Sequence, residues 1–185
     1  LVQMLPVLAG VKVYRVSLVS TASYISLLFG TLFMIVGLWL NISTLILGAS
    51  LLLGVGFFVI ILPMLAALKG VVNMTPSIRA MITSLIFASI IALMGMHLLA
   101  SYGIGKFSDL HPLFANVHSV WAIFGFAGIL IIGVAFHVLP MFYVAPRFKQ
   151  FCKKRVVLLI TIGLLLWLFL NLFFDAYATV AKIWI

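Results

Sequence analysis

From Val16 to Leu68 the chain carries no charged side chain at all. In lipid such a stretch has one solution as a single segment: an α-helix, which satisfies its own peptide groups internally. A spanning helix needs roughly 20 apolar residues. Runs of that kind recur at about 16–40, 44–68, 77–102, 112–140 and 156–183. The sequence therefore predicts an all-α fold, a polytopic transmembrane helix bundle. It has about five full spans and, over residues 1–11, the tail of a truncated first helix. Residues 1–185 read as a single transmembrane helical domain. Because the sequence opens Leu1-Val2-Gln3 inside an apolar run, we expect a segment of a longer protein.

Composition excludes the alternatives. Hydrophobic residues make up 66% of the chain and charged ones 7%, whereas an ordinary soluble domain is about 25% charged. Such a chain cannot cover a water-facing surface, so the lipid bilayer is its first partner. The acids are Asp109 and Asp175 alone, with no Glu, which rules out soluble chemistry built on paired carboxylates. The net charge of +9 comes from scattered residues, too dispersed to track phosphates, so no nucleic-acid partner is expected. Cys152 is the only cysteine and can form neither an internal disulfide nor a multi-thiolate metal site.

Charge also sets an orientation. The connections at 12–15, 69–79 and 147–155 hold Lys12, Arg15, Lys69, Arg79, Arg147, Lys149, Lys153, Lys154 and Arg155. The opposite ends hold Lys106 and Lys182. The positive-inside rule places the first group in the cytoplasm, as in a bacterial inner-membrane protein. Trp39, Tyr102 and Trp184 then fall at outer ends and Tyr14 and Tyr143 at inner ends, an aromatic belt. Leu5-Pro6, Leu62-Pro63 and Leu139-Pro140 each lie near an inner end, followed by Lys12, Lys69 or Arg147. They are either ordinary membrane prolines or the mark of a duplicated helix hairpin. The segment 41–44, Asn41-Ile42-Ser43-Thr44, reads as a polar turn with a good N-cap.

Ionisable groups at membrane depth are expensive and so point to function. They are His97, His118, His137 and Asp175, with His111 in the outer loop. His118 lies about two turns inside its helix, and α-helical geometry places Gly125 close to the same direction. A small residue there admits something flat or another backbone. That suits a haem, whose iron needs an imidazole nitrogen in an apolar slot, or equally a His bonded to a neighbouring helix. His97 stands in Met94-Gly95-Met96-His97. Thioethers beside an imidazole suit Cu(I), although Met94 and Met96 point to different helix faces and methionine is common filler. His97 is also the nearest candidate for a second haem ligand. His137 lies about 19 residues from His118, roughly 28 Å along the axis, so one compact site cannot use both. It serves either a second site near Met141 or backbone freed by Pro140. Asn171, Asp175, Thr179 and Lys182 form a polar stripe. Asp175 is either interfacial or an orienting group for a His ligand.

The run HPLFANVHSVWAIFGFAGILIIGVAFHVLPMFYVAPR, residues 111–147, resembles a helix of haem–copper oxidase subunit I and of NnrS-like membrane proteins. The resemblance rests on His118, Gly125-Phe126, Gly133 and Leu139-Pro140. It implies haem b held near the outer face through His118, in electron transfer or in handling nitric oxide or oxygen, with an electron donor or other membrane subunits as partners. No His-His pair and no His-x-His pair is present. The chain thus lacks the His cluster of an oxidase or reductase metal centre, and is not expected to reduce either gas by itself. Either other segments supply those ligands or the fold serves another purpose. The rival reading is a transporter of copper or another small solute, or a structural subunit.

Overall fold

The computed structural model describes residues 2–142 and 148–183, without the side chains of Met4, Gln150, Cys152, Lys154 and residues 174–183. The described chain is helical, with no strand among the described residues: α1 (Met4–Ala9), α2 (Val16–Leu40), α3 (Ser43–Lys69), α4 (Pro76–Ile104), α5 (His111–Val120), a π-helical segment (Trp121–Gly128), α6 (Ile129–Phe142) and α7 (Gln150–Ile183). α5, the π segment and α6 form one continuous span, and five spans are long and apolar enough to cross a membrane. The chain is an integral membrane protein built as a helical bundle. Tyr143, Arg147 and Trp184 lie outside the described residues, as does the side chain of Asp175.

Local chemistry sets the helix ends. Asn41 takes the left-handed conformation that closes α2, φ 54°, and its N–H bonds the Gly37 carbonyl. Asn is one of the few non-glycine residues that adopt this conformation readily. The N-cap expected at 41–44 is not made: Ile42 occupies that position, with no side-chain bond. The polar turn instead works on the helix before it. Thr75 does cap α4, its hydroxyl accepting from the Ile78 N–H at 3.3 Å with Pro76 in the first turn, an arrangement that satisfies an otherwise orphaned donor. Gly105 closes α4 at φ 70°.

Small residues then decide the packing. α2 and α3 approach so closely that a Cβ on Gly37 would lie 3.0 Å from the Ile46 nitrogen. Ser23 and Ser26 donate across the same seam to the carbonyls of Gly56 and Leu52, both at 2.7 Å. This is how membrane helices associate when lipid removes the hydrophobic drive: close backbones and interhelical hydrogen bonds. α4 is the hub, packed against α3, α5, the π segment and α6. Of the apolar window in each span, 39% is buried in α4 and only 11% in α7. One core cluster joins Leu5 and Leu8 of α1 to Met64, Leu68, Ile78, Met81 and Leu85 at the 69–79 end. A second gathers Phe87, Leu113, Val117, Trp121 and Ile129 with Val157 and Leu164 of α7.

Candidate functional site

His118 is two turns into α5. Its Nδ1 lies 3.1 Å from the Ile91 carbonyl oxygen of α4. A carbonyl only accepts, so in the neutral ring Nδ1 carries the proton and donates it. The lone pair is then on Nε2. Nε2 has no partner among the described residues, and packing does not seal it off. The ring rests on Gly95, where a Cβ would come within 2.9 Å of its Cε1. Any larger residue at 95 would push the imidazole from its place.

The ring borders a cavity of about 320 Å³ between α2, α3, α4 and the α5–π junction. Ala88, Ala92 and Gly95 supply the wall on α4, three small residues on one helical face. From the same helix, Met96 reaches over to Gly54 of α3. The Ser50 hydroxyl, also in the wall, donates to the Met96 carbonyl at 2.8 Å. These contacts hold α3 and α4 together while the small residues leave space between them. Met34 of α2 completes the wall with its thioether chain. Among the described residues the remaining lining is aliphatic or aromatic. Ser50 has already committed its proton, so the groups with free electron pairs among the lining residues are His118 Nε2, the Ser50 oxygen and the thioethers of Met34 and Met96.

The other candidates are dispersed. His97 is exposed on α4, edge-to-face with Phe114 at 5.8 Å between centroids, and does not line the cavity. Met94 packs into the core around Trp121 and Val117, whereas Met96 faces the cavity. The two methionines thus part as their spacing implies. Gly125 does admit something flat, the ring of Phe87: a Cβ at 125 would stand 2.6 Å from its Cδ1. Phe87 is in turn edge-to-face with Trp121 at 5.0 Å. His137 is exposed and makes no hydrogen bond among the described residues. Asn171 turns inward on its own helix, donating to the Trp167 carbonyl at 2.8 Å. No group of three or more His, Cys, Asp or Glu that could hold a metal occurs among the described residues.

Sequence reasoning found His118 and Met96 but missed Met34, Ser50, Gly54 and the Ile91 carbonyl. Only a shared depth, six to eight residues in from the same end of the bundle for Met34, Ser50, Met96 and His118, hints at a common level. It also missed the π segment that begins three residues beyond His118, the kind of irregularity that often marks functional places in helices. Compared with protein-family models, with curated proteins and with solved structures, the chain matches none.

Proposed function

We propose that this integral membrane protein holds a metal-centred ligand on His118, in electron transfer or the handling of a small gas such as nitric oxide or oxygen. One observation carries the reading. His118 gives its Nδ1 proton to the Ile91 carbonyl and keeps Nε2 free beside an apolar cavity. Metal-binding histidines are held in this way, with the far nitrogen bonded so that the near one keeps its lone pair and its aim. With the basic connections in the cytoplasm, the cavity lies in the outer half of a bacterial inner membrane. An electron donor or further membrane subunits would be its partners.

Haem b, the group that the resemblance implies, meets this site in part. The donor nitrogen is right for an iron. The space is not. At about 320 Å³ it stands at the low end of pockets for drug-sized ligands, about 300 to 1,000 Å³, and a porphyrin is larger than most of those. Phe87 occupies the face at Gly125, and among the described residues no second imidazole lines the cavity. An intact haem therefore does not fit the cavity as this chain closes it. The reading best supported is a smaller metal centre on the same nitrogen. Movement of copper through the bundle is the second reading, favoured by the two thioethers in the wall.

The test is a reduced-minus-oxidised visible spectrum of the purified protein, with pyridine extraction and metal analysis. The expected result is metal bound without a b-type signal, and lost in His118→Ala. A b-type signal lost in His118→Ala would restore haem and mean that Phe87 leaves Gly125. A metal that survives His118→Ala, or a folded protein that binds none, overturns the proposal.

A further inference from the structure

We infer that the cavity is a site for a single Cu(I) ion, held by His118 Nε2 and the thioethers of Met96 and Met34. This rests on the metal-centred reading above and names the metal and its donors. The argument starts from what the wall lacks. Among the described residues no carboxylate, thiolate or second imidazole lines it. A divalent ion would bring two charges into an apolar space with no anion to meet them. The desolvation penalty of an ion grows with the square of its charge, so a monovalent ion pays about a quarter of that. Hard monovalent cations such as sodium need several oxygen donors. Among the described residues the cavity offers one side-chain oxygen, Ser50, whose hydroxyl also bonds the Met96 carbonyl.

Neutral nitrogen and thioether sulfur are the donors that soft, low-coordinate Cu(I) accepts. They arrive from three helices: Met34 from α2, Met96 from α4 and His118 from α5. His118 is fixed by its bond to Ile91 and its seat on Gly95. The two methionines have the torsional freedom to close around an ion. The space exceeds what a bare ion fills, so methionine movement is part of the binding. The sulfur of Met96 now lies over Gly54 and would swing inward.

The experiment uses the purified full chain in detergent, given Cu(I) anaerobically in competition with a chelator of known affinity. Size-exclusion profiles check the folding of every variant. One bound equivalent is expected. Met96→Leu, which keeps the volume, should weaken binding by at least the roughly 10- to 100-fold that loss of an outer-shell partner costs. Met34→Leu should act alike, and His118→Ala should abolish binding. Met94→Leu and His97→Ala should leave it unchanged. X-ray absorption should show sulfur and nitrogen scatterers on the copper. Binding that depends on His118 but is unchanged in both Met96→Leu and Met34→Leu overturns this donor set and leaves the proposed function standing. Metal of another kind on His118 with no Cu(I) taken up does the same. No metal of any kind overturns both.

Discussion

The two flanks of α4 use small residues to opposite ends. Toward the π segment, Gly125 is a seat that a neighbour fills: Phe87 lies in it and Trp121 closes over Phe87. Toward α3, Ala88 and Ala92 border a space that neighbours do not fill, although His118 seats on Gly95 and Met96 on Gly54 at its edge. Pairing decides the difference. A glycine facing a large ring makes a tight joint. Where no side chain seats on them, small residues leave a hole. In this bundle an imidazole and two methionines reach the edge of that hole without filling it.

Substitutions on the two flanks should separate the joint from the hole. Phe87→Ala should be the most damaging, because the ring is 4% exposed and large-to-small core changes of this kind cost about 3–5 kcal/mol. Thermal unfolding in detergent measures it, and a near-neutral result would mean the joint carries little of the stability. Gly125→Ala comes next, at about 1–3 kcal/mol for overpacking, since the packed Phe87 ring has no flexible end to move. Gly54→Ala puts a Cβ onto the Met96 thioether, whose end can swing, so the loss should stay under about 1 kcal/mol. Should the two glycine variants unfold alike, the contrast between flexible and rigid neighbours fails. Ser23→Ala should be smallest, near the 0.6 kcal/mol typical of one interhelical hydrogen bond in a membrane protein. Hydrogen exchange at the α2–α3 seam would register it even where the melting point does not.

The spans were legible because nothing interrupts them. α2 runs Val16–Leu40, the limits set by Arg15 and Asn41 in the sequence. α7 begins at Gln150 rather than near 156. Lys153, Lys154 and Arg155 extend the helix instead of ending it, since long basic side chains can reach the interface from a helical backbone. The Arg155 guanidinium lies over the Phe151 ring at 4.0 Å, a contact one turn apart that the helix itself provides. The site was legible only in its titratable member. His118 stands out as a polar group in an apolar run. Its fixing partner is a main-chain carbonyl, which every residue has, and Met34 looks like any core methionine. Which of them meet depends on helix order, and uniformly apolar helices carry no stripe to encode it. The reasoning that aligned Gly125 with His118 assumed an unbroken α-helix, and the wider π turns fall between them.

That π segment has a consequence for how the span tolerates change. Its i→i+5 bonding stores one residue more per turn than the flanking α-helix needs. Removing a single residue between Trp121 and Gly128 would let the segment relax to ordinary α-helix with the flanking halves left close to where they stand. His118 and its bond to Ile91 lie on one side of the slack, Gly133 and Pro140 on the other. A second residue removed would find no such slack and would turn the halves against each other by about 100°, one residue's share of a 3.6-residue turn. Then either the imidazole keeps its carbonyl and Gly133 leaves Ala80, or the reverse. The span behaves as two short helices sharing a coupling, and the coupling, not either half, sets where the imidazole stands relative to the rest of the bundle.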